Sequence, residues 1–491
     1  MPLNRLFYGD NLPILREHFS DNSVDLVYLD PPFNSNRSYS VIFGKESNRD
    51  ASAQIQAFDD TWHWTPETER LFRDLLLSAP PKVADAMQAF RILLGENDAM
   101  AYLVMMTPRL IELHRVLKVT GSLYLHCDPT MSHYLKIILD AIFGPKNFIN
   151  EIIWHYNTGG ATKRTFSKKH DVILFYARDE RGHKRVFNPQ REPFREEKTN
   201  HFTEIDEDGR RYRVRTIGGK DYIYYLDEGR ICHDVWDIDA LNAAAKERLG
   251  YPTQKPISLL NRIIEASTNP GDVVLDPFSG CGTSIDSADK LGRQWAGIDI
   301  TYISVDLIIK RLQATHGPAV MDNVKVDGIP QDMESARRLF DKSPFDFERW
   351  AVSMLHAQPN EKQVGDKGID GVRRFIIDQR EIGKVLVSVK GGKSVPPTHV
   401  RDLAGTVHNR RDAQLGVLIT LNDELSRGSR EVIDTSGYWT HPANDQHFPT
   451  LQHISVRDLL EGKRPDLPLA LPPYISAQRG IQAVDQGKLF G

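Results

Sequence analysis

A chain of 491 residues is too long for one ordinary core, and 40% hydrophobic with 26% charged residues is globular composition, so two or three domains are expected. No apolar run reaches bilayer length and Met1-Pro2-Leu3-Asn4-Arg5 lacks a signal-peptide pattern, which predicts a cytoplasmic protein without a membrane partner. Cys127, Cys232 and Cys281 lie far apart with no Cys-x-x-Cys pair, and 62 basic against 66 acidic residues give a net charge of −4; a disulfide framework and a global positive field are both excluded.

In chain order, Leu6-Phe7-Tyr8 ends at Gly9-Asp10, an amphipathic stretch runs from Leu12 to Phe19, and the apolar run Val24 to Leu29 enters Asp30-Pro31-Pro32-Phe33. An apolar run closed by two prolines reads as a buried parallel strand, because proline cannot continue a central ladder. Residues 45–118 are largely helical in pattern, with Trp62 and Trp64 read as core packing, and Ser122 to His126 is a short strand after Gly121. Val172 to Tyr176 is a further strand, followed over 178–250 by a polar, interrupted stretch. Residues 161–220 hold 16 Lys+Arg against 10 Asp+Glu, which suits phosphate contacts, although a solvated loop surface would look the same.

Residues 257–268 read as an amphipathic helix after Pro256. Val273 to Asp276 is a strand, a glycine-rich turn leads into a helix, and Trp295 to Ile300 is the next strand. Alternating β and α units argue for an open parallel sheet. After about residue 325 the pattern changes. A helix over 345–357, a hairpin-like pair around Asp378 to Gly383, and strands Val385 to Lys390 and Leu415 to Leu421 form a second, smaller α/β unit. The end, from 463, is proline-rich and expected to be poorly ordered.

Two segments carry chemistry. In Asp276-Pro277-Phe278-Ser279-Gly280-Cys281-Gly282-Thr283 the glycines allow backbone N–H groups to approach a ligand, and Asp299 stands where an acid would bond ribose hydroxyls. Ile285 occupies the third glycine position of G-x-G-x-x-G, which argues against a dinucleotide turn. In Asp30-Pro31-Pro32-Phe33, a carboxylate and a carbonyl held by two prolines can accept both hydrogens of an exocyclic base amine. That draws its nitrogen toward an attacking geometry, and an aromatic ring can stack on a base turned out of the duplex.

These two segments resemble the signature motifs of amino-group DNA methyltransferases, and their order resembles the circularly permuted β subgroup. Gly9-Asp10-Asn11, His170 to Tyr176, and Pro252-Thr253-Gln254-Lys255-Pro256 resemble three further motifs of that family, over about 1–325. The resemblance implies an α/β, Rossmann-like S-adenosylmethionine-dependent fold with Asp30, Pro31, Pro32 and Phe33 catalytic. It implies cofactor contacts from Asp10, Lys255, Pro256, Asp276, Pro277, Phe278, Gly280, Gly282, Thr283 and Asp299, and a target-recognition region over 178–250. Aspartate at position 30 implies N6 of adenine in duplex DNA, with N4 of cytosine as the alternative. No cysteine lies in a Pro-Cys context, so carbon-5 chemistry is excluded.

Residues 344–465 resemble the Mrr-like branch of PD-(D/E)xK restriction endonucleases, through Phe347-Glu348-Arg349-Trp350, Gly368-Ile369-Asp370-Gly371 and Val387 to Gly392. That resemblance implies Mg²⁺ near Asp370, Lys390 and Glu348, with Ser388 in place of the expected acid or glutamine. A combined restriction-modification enzyme is the rival function. Residues 326–343 are expected to be a linker and 466–491 a flexible tail, in which Gln486 to Phe490 resembles the bacterial sliding-clamp-binding pentapeptide. The expected partners are duplex DNA, a second copy as a homodimer, and the clamp.

Overall fold

The computed structural model describes residues 4–32, 38–42, 54–59, 62–157, 162–179, 185–194, 196–242, 245, 247–249, 251, 253–359, 368–377, 382–392, 394–410 and 412–469. The first unit opens with β1 (Asn4–Tyr8), α1 (Asn11–His18) and β2 (Val24–Leu29). Three helices follow, α2 (Pro66–Ser78), α3 (Pro81–Leu94) and α4 (Asp98–Val116). Then come β3 (Leu117–Cys127), α5 (Ser132–Phe143), β4 (Phe148–His155) and β5 (His170–Ala177). A hairpin, β6 (Arg211–Ile217) and β7 (Lys220–Tyr225), precedes β8 (Val235–Asp237). The unit closes with α6 (Ile257–Ser267), β9 (Val273–Asp276), α7 (Thr283–Lys290), β10 (Gln294–Asp299), α8 (Tyr302–His316) and β11 (Val324–Asp327).

Nine of these strands form one sheet in the order β8-β4-β5-β3-β2-β9-β10-β1-β11. All pair in parallel except β5, which runs antiparallel between β3 and β4. Every residue of β2 is buried. Its alternation divides the side chains between two cores, Val27 and Leu29 on one face, Leu26 and Tyr28 on the other, as a strand covered on both sides requires. Asp25, the one acid in that run, is satisfied by Lys118 Nζ at 2.7 Å and the Val273 N–H at 3.0 Å. Trp62 and Trp64 pack against the first core, as expected.

Residues 54–59 depart from the helical reading of 45–118. They form a strand paired antiparallel with Ser38–Ile42, and its first four residues, Gln-Ile-Gln-Ala, alternate with period two rather than 3.6. Val235–Asp237, inside the stretch read as target-recognition region, returns to the main sheet beside β4.

The stretch 326–343 is structured rather than a bare linker. It holds α9 (Met333–Lys342), started by a reciprocal cap between Asp332 and Ser335, with Ala336 buried in the second unit's core. Next come α10 (Pro344–Ser353) and a five-stranded sheet of β12 (Gln358–Pro359), β13 (Gly371–Ile376), β14 (Ile382–Lys390), β15 (Leu415–Thr420) and β16 (Leu451–Ser455), in that order. α11 (Pro397–Asn409) packs on β14 and β15, on the face opposite the core of α10. The tail read as flexible from 466 is pinned at its start, where Arg373 Nη2 donates to the Pro468 carbonyl at 2.8 Å. The clamp-like pentapeptide Gln486–Phe490 lies outside the described residues. No helix among the described residues is long and apolar enough to cross a membrane.

Candidate functional site

Parallel pairing brings the C-terminal ends of β1, β2, β9 and β10 to one edge of the sheet, where ligands of open α/β sheets sit. Asp10, Asp30, Asp276 and Asp299 all stand there. Asp30 follows β2, Pro31 behind it is buried and Pro32 half-buried. Phe33 lies outside the described residues. Lys255, which precedes the Pro256 that starts α6, places Nζ 2.5 Å from Asp30 Oδ2.

The turn after β9 is fixed by its own carboxylate. Asp276 accepts from the Phe278 N–H at 3.0 Å and from the Ser284 hydroxyl, while the Ser279 hydroxyl donates to the Asp276 carbonyl at 2.9 Å. Gly280 and Gly282 adopt φ of +50° and +72°. A side chain at 282 would meet Ile308 Cγ1 at 2.6 Å, and one at 280 the Tyr251 ring at 3.3 Å. Glycine is therefore required at 282 for both conformation and space. Pro277 and Thr283 are buried and Phe278 half-buried against the first core.

Asp299 is held to this turn. Its Oδ2 accepts from the Gly280 N–H at 2.9 Å, and its Oδ1 accepts from the Thr301 N–H and hydroxyl, each at 2.9 Å. The Ser304 hydroxyl bonds the same carboxylate as well, so the turn and the start of α8 engage most of its acceptor positions. Asp10 caps α1 through the Leu12 N–H at 3.0 Å and pairs with Arg109 Nη2 at 2.7 Å.

Burial is the main electrostatic force at this edge. It pushes the Asp276 carboxyl up to about 7, with Asp30 and Asp299 adding repulsion, and it raises Asp299 as well. Four carboxyls at this edge face two cations, Lys255 at Asp30 and Arg109 at Asp10, while burial disfavours the charged form of Asp276 and Asp299.

Several contributing contacts carried no sequence signal, although Asn11 and Asp171 themselves lie in motif-like segments. Asn11 Nδ2 donates to the Pro277 carbonyl at 2.8 Å, and Arg109 Nε donates to Asn11 Oδ1 at 2.5 Å. Arg311 is buried behind the glycine turn, bonding the Cys281 carbonyl at 3.2 Å, Thr283 at 3.0 Å and Asp286 at 3.2 Å. Beneath Asp30 runs a polar chain. The Tyr28 hydroxyl meets His126 Nδ1 at 3.2 Å, His126 Nε2 meets Asp171 Oδ2 at 3.2 Å, and the Tyr156 hydroxyl donates to Asp171 Oδ1 at 3.3 Å. Periodicity reads Tyr28 and His126 only as strand residues.

In the second unit Asp370, Lys390 and Glu348 come together. Lys390 Nζ lies 3.4 Å from Asp370 Oδ2, and Asp370 repels the half-buried Glu348, whose carboxyl is raised chiefly by burial. Asp370 Oδ2 also accepts the Val389 N–H at 2.6 Å, and Ser388 turns its hydroxyl to the Gly368 carbonyl at 2.7 Å. Among the described residues no three metal-binding side chains cluster. The carboxylates described here that could hold Mg²⁺ are Asp370, whose Oδ2 is shared with the Lys390 ammonium and the Val389 N–H, and Glu348, while Ser388 offers only a neutral hydroxyl oxygen in place of an acid or glutamine, a weak ligand set.

The chain matches the family described as DNA methylase over residues 24–310, and that described as restriction endonuclease over 340–438. It is 25% identical over 367 residues to the Type II methyltransferase M.EcaI of Enterobacter cloacae, covering 64% of this chain and 70% of that one. It is 26% identical over 313 residues to the DNA adenine methyltransferase YhdJ of Escherichia coli (strain K12), covering 63% and 83%. A candidate DNA modification methylase from Thermus thermophilus, complexed with S-adenosyl-L-methionine, superposes with TM-score 0.36 at 19% identity, over 66% of this chain and 99% of that one.

Proposed function

The chain belongs to the DNA methylase family, and from that premise we propose that it moves a methyl group from S-adenosylmethionine to N6 of adenine in duplex DNA. The observation that carries this reading is the meeting of Asp30 and the Asp276–Gly282 turn at one sheet edge, with Lys255 against Asp30. Aspartate at position 30 favours adenine. The order of the segments, Asp30 before Asp276, supports the permuted β arrangement.

The cofactor supplies an electrophilic methyl on a sulfonium, and the carboxylates Asp10, Asp276 and Asp299 with the backbone of Pro277, Phe278, Gly280, Gly282 and Thr283 would line it. Lys255 and Pro256 would flank its methionine end. Asp30 and the Pro31 carbonyl accept the two N6 hydrogens, and Phe33 stacks on the turned-out base. With the donor bound, Asp30 and the Pro31 carbonyl would aim the N6 lone pair at the methyl, and one N6 proton would leave along the Asp30 hydrogen bond as the methyl is taken up. Lys255 must yield that carboxylate to the amine, so it acts as a positioning residue. The reading carries with it a cytoplasmic setting and duplex DNA as partner.

Modified-base sequencing of DNA from cells expressing the chain tests this directly. N6-methyladenine at one recurrent sequence is expected, absent with Asp30→Ala, whose purified form still binds S-adenosylmethionine. Cytosine-N4 methylation, or undiminished marking by Asp30→Ala, would overturn it.

A further inference from the structure

Between β4 and β5 lies a loop that no motif accounts for. Residues 162–169, Thr-Lys-Arg-Thr-Phe-Ser-Lys-Lys, contain four cations and no acid. Phe166 is 100% exposed, the fullest exposure of any large apolar side chain described. Lys163, Arg164 and Lys168 are exposed too.

The loop is shaped rather than extended. Its neck is closed by the Tyr156 N–H donating to the Lys169 carbonyl at 3.0 Å. Inside it, the Thr162 N–H donates to the Ser167 hydroxyl at 3.3 Å and Thr162 Oγ1 lies 3.1 Å from Thr165 Oγ1. These ties hold the chain in a bend with the Phe166 ring outside it. The neck also fixes where the loop stands. Tyr156 bonds Asp171, Asp171 bonds His126, and His126 bonds Tyr28, two residues before Asp30. The loop therefore leaves the same sheet edge that carries the Asp30 carboxylate.

We propose that residues 162–169 form a DNA-contacting finger, with Phe166 entering the base stack where the target base leaves it and Lys163, Arg164 and Lys168 holding the flanking phosphates. The proposal rests on the methyl-transfer reading above and adds the means of opening the duplex. Asp30 can reach an exocyclic amine only when the base is out of the stack, and the gap left behind favours an apolar or aromatic wedge. A bare aromatic ring flanked by exposed cations fits stacked bases between phosphates, since every base offers a π-face and every step two negative charges. The finger lies outside 178–250, so it serves opening rather than sequence choice.

The test uses the full chain and duplexes containing the sequence found by modified-base sequencing. Binding measured against salt should lose about three units of log–log slope in the triple variant Lys163→Gln, Arg164→Gln, Lys168→Gln. With 2-aminopurine at the target, Phe166→Ala should lose the fluorescence rise that marks an unstacked base. Its single-turnover methylation should fall about tenfold or more, and recover when the target adenine faces an abasic site, where opening is already done. S-adenosylmethionine binding, unchanged in all variants, certifies the fold. An unchanged salt slope together with wild-type fluorescence and rate in Phe166→Ala would overturn the finger. A wild-type chain that methylates no duplex would instead overturn the methyl-transfer reading, and the salt slopes would still judge the finger.

Discussion

Lys255 Nζ stands 2.5 Å from Asp30 Oδ2, with the two side chains only 10% and 14% exposed. The pair joins the loop after β2 to the start of α6, 225 positions along the chain. A largely enclosed ion pair is costly to break from one side, because the survivor is left as an unpaired charge. Lys255→Met should therefore lose about 3 kcal/mol of stability in urea unfolding. The double variant Lys255→Met, Asp30→Asn should recover most of that loss, and simple additivity would show the two residues to be uncoupled.

Two glycines separate strain from crowding at the candidate cofactor turn. Gly282 and Gly292 adopt φ of +72° and +71°, but only at 282 would an added Cβ strike a neighbour, Ile308 Cγ1 at 2.6 Å. Gly292→Ala should cost about 1 kcal/mol from conformation alone. Gly282→Ala should cost about 2 kcal/mol more and weaken S-adenosylmethionine binding. Equal losses in thermal unfolding would mean that Ile308 yields freely.

The buried carboxyls predict opposite pH responses on the two sides of the glycine turn. Burial raises Asp276 to about 7, so between about pH 4 and 7 the folded state holds a proton that the unfolded chain has released. Its contribution to stability is full at acid pH and declines as pH rises through 7. Asp286, beside Arg311, Lys290 and His316, is lowered despite its burial. Its contribution is present above the ordinary carboxylate range and is lost as pH falls through its folded value. Urea unfolding across about pH 4 to 8 should show a smaller decline toward pH 7 in Asp276→Asn than in the wild type. The same slope in both would place the titration elsewhere.

For the second unit, the fate of Ser388 and Asp370 predicts no cutting. Supercoiled plasmid with Mg²⁺ should stay intact, with or without S-adenosylmethionine and whether or not it is methylated. Linear or nicked product that disappears in Asp370→Ala would restore the nuclease reading, with Glu348 as the second acid.

The sheet and its candidate ligand edge were readable from the chain because strands buried on both faces write themselves as apolar runs. Val24 to Leu29 and Val273 to Asp276 end abruptly at proline or glycine, and the residues just beyond a parallel strand stand at the ligand edge. Local rules failed where the pattern was ambiguous. Gln54–Asp59 pairs as a strand inside a helical neighbourhood, and α9 fills an expected linker because its apolar face finds the second core.

By itself the sequence determined the fold class, the order of Asp30 before Asp276, and the glycine-rich character of the turn that follows Asp276. Backbone conformation, strand burial and helix starts are local properties, set by residues within a few positions. The folded chain alone decided which charges meet. Lys255 reaches Asp30, Arg109 holds Asp10 and Asn11, and His126 links Tyr28 to Asp171 across separations of 225, 99, 98 and 45 positions in turn, the 98 being common to Arg109–Asn11 and Tyr28–His126. A side-chain pair of that kind leaves no periodicity, since its spacing along the chain is arbitrary, and only the packing of helices onto the sheet brings its partners within hydrogen-bond distance.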